Sequence, residues 1–452
     1  MNSFAKKQAA PDQLRLPRYT SFPTALQFAD LGEDKYRTWL KAVKDDETVS
    51  LYIHIPYCEQ LCWFCGCLTK VTNHYSAVKN YVDILLKEIR MVHNELGTRT
   101  ASHIHFGGGS PSMLSAKDFT RIMATLAHCF DIDDNADIAI EIDPRSVDDK
   151  KIEAYEHCGV NRASLGIQDF DHRVQENVNR IQSLDLVATV ISKLRQHNIN
   201  NINLDLMYGL PHQTIASVTK TAKIAMAFMP SRIALFGYAH VPWMRKHQKL
   251  LETAPVPHSD LRLDMFNAMQ AELNKGRYLS IGIDHFARPE DELAQALADH
   301  SLKRNFQGYS VDASDTLIAF GVSAISCLHK GYAQNSPDIK TYQNAITAGR
   351  LPIMRGVATH KEDRLRRDII SQLMSYYDVK PEKVAQKHKL EIDFTKEWRN
   401  LRFLEDMGYI KSGKGHLRVT KKGRPFVRGI ATVFDPHFPV KGKLLLDILR
   451  DE

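Results

Sequence analysis

The sequence has no run of about eighteen apolar residues, the length a membrane-spanning helix requires, so no membrane span is expected. Its opening residues, Met-Asn-Ser-Phe-Ala-Lys-Lys-Gln, lack the apolar stretch of a secretory signal. Charge of one sign is scarce. Sixty Lys and Arg stand against 53 Asp and Glu, and the resulting +7 over 452 residues does not by itself imply nucleic acid. It leaves only a slight bias toward an acidic ligand. There is no internal repeat and no low-complexity tract. Cysteines number seven and are not spread as a secreted disulfide framework would spread them. The expected compartment is a reducing cytoplasm. With 43% hydrophobic residues the chain can bury a large core, and its length allows one large domain with attachments.

What is present is concentrated. Cys58, Cys62, Cys65 and Cys67 fall within ten residues, and the first three follow C-x-x-x-C-x-x-C. Cys129, Cys158 and Cys327 stand singly and read as small buried hydrophobes.

Residues 1–45 carry turn signals, and the stretch 17–24, with proline at both ends of its core, reads as an extended arm. From about residue 50, short apolar, β-branched runs alternate with helical stretches. The runs are 51–55, 104–109, 138–143, 163–168, 202–209 and 233–239. Between them, Val78, Tyr81, Val82, Leu85, Ile89, Val92 and Leu96 repeat at helical spacing, as do Phe119, Ile122, Met123, Leu126 and Phe130. A third such stretch follows Ser259. Six strand–helix repeats predict an α/β fold with a parallel sheet, either a partial (β/α)6 barrel or an open doubly wound sheet, covered on both faces. A run at 278–283 would add an edge strand. Beyond residue 360 the pattern changes to helices and two short strands, predicting a mostly helical, winged-helix-like unit. The expected division is an arm at 1–45, the partial barrel at 46–290, a completing segment at 291–360 and the C-terminal unit at 361–452.

Ligands of such sheets bind at the C-terminal ends of the strands. The distinctive residues fall there: the cysteine loop, Gly107-Gly108-Gly109-Ser110, Glu141-Ile142-Asp143, Gln168-Asp169 and Asp205. Three readings of the cysteine loop compete. A zinc site wants four ligands, usually from two knuckles; no second knuckle exists, though Cys67 or His54 could complete the set. A redox pair would use Cys62 and Cys65 and leave the others unexplained. An iron–sulfur cluster would use three thiolates and leave one iron open.

C-x-x-x-C-x-x-C directly after the first strand resembles the radical S-adenosylmethionine superfamily. The wider set resembles the oxygen-independent coproporphyrinogen III oxidase family: Pro17-Arg18-Tyr19-Thr20-Ser21, Tyr52-Ile53-His54-Ile55-Pro56, Cys65-Gly66-Cys67, Gly107-Gly108-Gly109-Ser110-Pro111, Glu141-Ile142-Asp143-Pro144-Arg145, Gly166-Ile167-Gln168-Asp169-Phe170, Asp205-Leu206-Met207-Tyr208-Gly209, Asp284-His285-Phe286-Ala287-Arg288 and Arg304-Asn305-Phe306-Gln307-Gly308-Tyr309. Related heme-linked radical enzymes have an aromatic residue where Cys67 stands.

This resemblance implies a radical S-adenosylmethionine partial barrel. It implies a 4Fe-4S cluster on Cys58, Cys62 and Cys65 and two S-adenosylmethionine molecules. Tyr52, Gly108, Glu141 and Ile325 would contact the first. Phe64, Gly109, Ser110, Gln168, Arg180, Asp205 and Ala239 would line the second; the family commonly has threonine at Ser110. Cys67, Phe306 and Gln307 would border the active site and serve catalysis. The implied substrate is coproporphyrinogen III, with an electron donor and an electron acceptor as further partners. A monomer without nucleic acid is expected. Plainer alternatives stand beside three of these roles: Glu141 and Asp143 pairing with Arg145, Asp205 capping a turn, and Arg180 as a solvated helix residue. Arg18, Arg288, Arg304, His240 and His285 are candidates by position for the substrate's carboxylates.

Overall fold

The computed structural model describes residues 16–438 except Gln307 and Ala313. The six predicted strands form as β1 (Val49–Ile55), β2 (Thr100–Gly108), β3 (Asp131–Ile142), β4 (Arg162–Gln168), β5 (Asn201–Tyr208) and β6 (Arg232–Gly237). They lie side by side in chain order, each parallel to the next. An order with no reversal is that of a barrel wall. A doubly wound sheet reverses at a switch point, and here there is none.

A seventh parallel strand, β7 (Thr316–Phe320), pairs with β1 on its other side. Antiparallel strands extend both flanks to thirteen in all. Past β7 come Ile325–Leu328, Gly331–Asn335, Ile353–Ala358 and Ala29–Asp30; past β6 come His285–Ala287 and Leu279–Ile281. The strand Leu279–Ile281 is the edge foreseen at 278–283. Within the arm, Glu33–Lys41 forms a helix that buries Tyr36, Trp39 and Leu40.

The strands are not apolar on both faces. In β4, Ala163, Leu165 and Ile167 are fully buried while Ser164, Gly166 and Gln168 alternate with them. In β5, Ile202, Leu204 and Leu206 alternate with Asn203, Asp205 and Met207. The apolar set joins one continuous core with the helices, including Val78, Val82, Leu85 and Ile89 of helix Tyr75–Leu96. The polar set, with Tyr52, His105 and Glu141, lines the inner face. Side chains two apart on a strand share a face, so this polar lumen follows from the alternation itself.

At the N-terminal strand ends, ion pairs close the lumen. Arg162 pairs with Asp137 at 3.1 Å and Arg232 with Asp291 at 2.8 Å. His103 lies 3.3 Å from Asp312. The opposite, C-terminal end carries the site.

Among its described residues the C-terminal unit has three strands in the order Asp378–Val379, His416–Val419, Ile410–Gly413, with helices Lys361–Tyr376, Pro381–Lys387 and Thr395–Asp406. Its core takes in Leu16, Tyr19 and Phe22 of the arm. The Tyr19 hydroxyl donates to Asp435 at 3.0 Å. Residues 16–22 of the arm thus share a core with the C-terminal unit, while Leu31, Tyr36, Trp39 and Leu40 pack into the barrel core.

Candidate active site

The cysteine loop leaves β1 through Pro56 and is tied down by backbone bonds. Lys70 N–H donates to Pro56 O at 2.7 Å, and Gly109 N–H to Ile55 O at 2.8 Å. Each of the three spaced sulfurs receives a donor. Thr69 Oγ1 reaches Cys58 Sγ at 3.1 Å; Arg180 Nη1 and Arg145 Nη2 reach Cys62 Sγ at 3.4 and 3.6 Å; Cys67 N–H reaches Cys65 Sγ at 3.4 Å. Hydrogen bonds to sulfur favour thiolate and tune a bound cluster. The Cys67 thiol lowers the Cys65 thiol to about 6, and the same contact raises Cys67. Burial pushes Cys58 up to about 11, so a ligand there must displace its proton.

Among the described residues, no three His, Cys, Asp or Glu side chains converge as a single metal ion requires. A zinc ion would draw every sulfur to about 2.3 Å. A cubane asks for one thiolate per iron, and three donor-supplied sulfurs on one loop fit that demand. A second fit lies at Gln168. Its φ is +69°, a left-handed conformation uncommon for a side-chain-bearing residue, at a register shift between β4 and β5. Its Oε1 is buried without a partner. A strained residue with an orphaned acceptor at a strand end suits a ligand with a polar hydrogen.

Gly107 and Gly108 make room for the site. A Cβ on Gly107 would stand 2.9 Å from Glu141 Oε1, and one on Gly108 would stand 2.7 Å from the His54 ring, with φ at +119°. Glu141 therefore approaches the backbone itself, accepting from Gly108 N–H at 3.2 Å and lying 3.2 Å from His105 Nε2. Asp143, not Glu141, pairs with Arg145, at 2.7 Å, and with Arg180 at 3.1 Å. These two arginines hold Asp143 down at about 2 against the upward push of burial. Glu141 thus carries neither arginine, its partners being Gly108 N–H and His105. Arg180 is buried rather than solvated, and binds Gly166 O, Cys62 and Asp143. Asp205 caps no turn. It accepts from Ser164 and Asn203 inside the lumen, at 3.1 and 2.8 Å, and burial followed by the Glu141 charge raises it to about 6.

Tyr52 shares the inner face of β1 with His54, 3.1 Å from its hydroxyl, and stacks beside His105. Burial lowers His54 to about 4, so the ring is neutral at physiological pH. Ser110 is buried, and its hydroxyl lies 2.8 Å from that of Ser112. Ile325 begins the strand after β7. The loop before it is pinned from below by Gly321 N–H to Glu88 at 2.7 Å and Val322 N–H to the Tyr81 hydroxyl at 3.0 Å. Phe306 packs edge-on to Tyr332, away from the residues above in its ring contacts. Gln307 lies outside the described residues.

Sequence reasoning missed three residues at 245–248. Gln248 is fully buried; its Nε2 donates to Phe64 O at 2.9 Å and Ala239 O at 3.2 Å. His247 Nε2 lies 2.9 Å from Cys65 O, and Arg245 donates to Gly66 O at 3.0 Å. This segment fastens the far side of the cysteine loop to the end of β6. Polar residues at the start of the short 3-10 helix Lys246–Thr253 carry no local signal for such a role.

Comparison with known proteins agrees with this geometry. The radical SAM superfamily model matches residues 52–225. The oxygen-independent coproporphyrinogen III oxidase of Bradyrhizobium diazoefficiens is 40% identical over 426 residues, covering 94% of this chain and 95% of that protein. That of Paracoccus denitrificans is 37% identical, covering 94% of each chain. The solved coproporphyrinogen III oxidase of Escherichia coli, described as a radical SAM enzyme, superposes with a TM-score of 0.89 at 35% identity, over 93% of this chain and 97% of that one.

Proposed function

The chain belongs to the oxygen-independent coproporphyrinogen III oxidase family of the radical SAM superfamily, and from that premise we propose how its own residues carry out the reaction. It is a radical SAM enzyme of heme biosynthesis. The reaction converts two propionate side chains of coproporphyrinogen III into vinyl groups, giving protoporphyrinogen IX. Each conversion removes a hydrogen atom from the propionate β-carbon, one further electron and carbon dioxide. An electron acceptor must take that electron, and a donor must reduce the cluster.

The β-carbon hydrogen is not acidic, so His285, bonded to Asp284 at 2.6 Å, has no part as an initiating base. When bound, the reduced 4Fe-4S cluster and S-adenosylmethionine supply the 5′-deoxyadenosyl radical that takes the hydrogen. The chain's residues do the rest. Cys58, Cys62 and Cys65 hold the cluster through thiolates. Thr69 donates to Cys58, and Arg180 and Arg145 to Cys62, contacts that suit metal-bound sulfur. Glu141, fixed by Gly108 N–H, takes an ammonium group of the first S-adenosylmethionine, with Tyr52 and Ile325 against it. Gln168, Asp205, Phe64, Gly109, Ser110, Arg180 and Ala239 line a second S-adenosylmethionine. Cys67, Phe306 and Gln307 border the substrate. Among the described residues no helix is long and apolar enough to cross a membrane.

The observation that carries this reading is the partition within the loop. Three sulfurs each receive a donor, and the fourth thiol, Cys67, lies against Cys65. Anaerobic reconstitution of single Cys→Ser variants tests it. Variants at 58, 62 and 65 should lose the iron–sulfur absorbance, while Cys67→Ser should keep it and lose turnover. Equal iron loss in all four would overturn the partition, and tight heme binding without decarboxylation would point to a heme-delivery role instead.

A further inference from the structure

Four arginines gather at the mouth of the lumen, from four separate segments. Arg304, on the strand Lys303–Asn305, lies with its Cζ 4.7 Å over the Tyr309 ring, and its Nη2 reaches the backbone oxygen of Arg18 at 3.5 Å. Tyr309 is itself fixed, donating to Met374 O at 2.7 Å and accepting from Ile283 N–H at 3.1 Å. Arg262, on helix Ser259–Lys275, lies across the C-terminal ends of β5 and β6. A Cβ on Gly209 would meet its Nε at 3.0 Å, and one on Gly237 its Nη2 at 3.2 Å. Arg18 comes from the arm and Arg428 from the C-terminal unit.

These groups share one neighbourhood. Arg18 is acted on by the charges of Arg428, Asp284, Cys67 and Arg304. Tyr208, at the end of β5, is acted on by Arg262, Arg428 and Asp284. The carboxylate common to both, Asp284, is hydrogen-bonded to His285 at 2.6 Å. Arg18, Arg304 and Arg428 therefore lie near Asp284, which already bonds His285, while Arg262 lies by Tyr208.

Two of the four carry buried donors with nothing to bind. Arg304 Nε and Nη1, and Arg262 Nε, are sealed from water without an acceptor. A guanidinium does not escape such a site by losing its proton. Buried N–H groups of a cation left unpaired are costly, and native proteins rarely keep them without a use. The missing element is an anion with planar oxygen pairs, matching the arginine fork.

We infer that Arg18, Arg262, Arg304 and Arg428 form a clamp for the propionate carboxylates of the macrocycle, with Arg262 and Arg304 as its fixed members. This rests on the porphyrinogen reading above. The clamp selects a polyacidic tetrapyrrole over a neutral one. Because Arg18 and Arg428 come from the N-terminal arm and the C-terminal unit, whose residues share a core, that packed region carries part of the binding site.

The test uses holoenzyme reconstituted with cluster and S-adenosylmethionine. Fluorescence titration with coproporphyrin III is compared with its tetramethyl ester, which keeps the macrocycle and removes the charges. The wild-type protein should bind the acid at least about tenfold more tightly. Arg304→Gln and Arg262→Gln should each reduce that preference by about tenfold, and Arg304→Lys should restore only part of it. Iron–sulfur absorbance in each variant reports an intact cluster site. Equal wild-type affinity for acid and ester would overturn the clamp, and that comparison needs no variant to fold. Variants that bind the acid like the wild type would overturn it as well. Failure of the porphyrinogen reading looks different: the acid is preferred and no carbon dioxide is released from coproporphyrinogen III.

Discussion

Replacing Glu88 by glutamine probes how the loop before Ile325 is held. Glu88 is 1% exposed, on the buried face of helix Tyr75–Leu96. It accepts from Gly321 N–H at 2.7 Å, from Asn335 Nδ2 at 2.6 Å and from the Tyr342 hydroxyl at 2.6 Å. Burial outweighs these three bonds and raises its carboxyl from 4.5 to about 7. Between those values the folded protein binds a proton that the unfolded chain has released. The stabilisation is therefore complete below about pH 4.5 and is lost as pH rises through about 7. At about 1.36 kcal/mol per pH unit the interval amounts to about 3 kcal/mol. Glutamine has no such slope. Its amide would face the Asn335 amide donor, and an unpaired buried donor costs about 1–3 kcal/mol. At pH 5 the variant should be the less stable protein, and by pH 8 the gap should have shrunk by about 2.5 kcal/mol, enough to close or reverse it. Denaturant midpoints of both proteins at both pH values, at one ionic strength, measure this. A gap of the same size at pH 5 and pH 8 would refute the reasoning.

Other predictions concern the cysteine loop and lumen. Gln248→Leu strands the Phe64 and Ala239 carbonyls, costing about 1–3 kcal/mol for each. Its S-adenosylmethionine cleavage should fall at least tenfold while a cluster still assembles, readable by product chromatography. Arg180→Met leaves buried Asp143 with one arginine instead of two; loss of a buried partner costs about 3–5 kcal/mol, and both thermal stability and cluster content should drop. Asp205, raised to about 6, is charged above that pH and neutral below it. Affinity for cationic S-adenosylmethionine should weaken as pH falls through about 6, and Asp205→Asn should remove that dependence in an equilibrium titration.

Much of this architecture was legible because its signals are local. The six parallel strands read from β-branched runs bounded by Gly, Pro, Asp or Asn, and each apolar run sits where its strand forms. The alternation in β4 and β5 was also written there, as Ser164, Gly166, Asn203 and Asp205 between aliphatic neighbours, though the runs read as uniformly apolar. Strand β7 was missed because what fixes it is pairing with β1, distant in sequence. The roles of Glu141 and Asp143 could not be divided from spacing alone. They share a strand end, and only the third dimension places both Arg145 and Arg180 on Asp143. Glu88 offered a signal that went unread: a carboxylate among Leu85, Ile89 and Val92 on an apolar helical face has to be paired. Gln248 offered none, since its partners are backbone carbonyls of two distant segments.

On the proposed reading, decarboxylation starts with removal of a hydrogen atom from a propionate β-carbon. Coproporphyrinogen III deuterated at those carbons, incubated anaerobically with reconstituted protein, reductant, an electron acceptor and S-adenosylmethionine, tests it most directly. Deuterium should appear in the 5′-deoxyadenosine, with carbon dioxide and protoporphyrinogen IX formed alongside. Unlabelled 5′-deoxyadenosine accompanying the same products would contradict it.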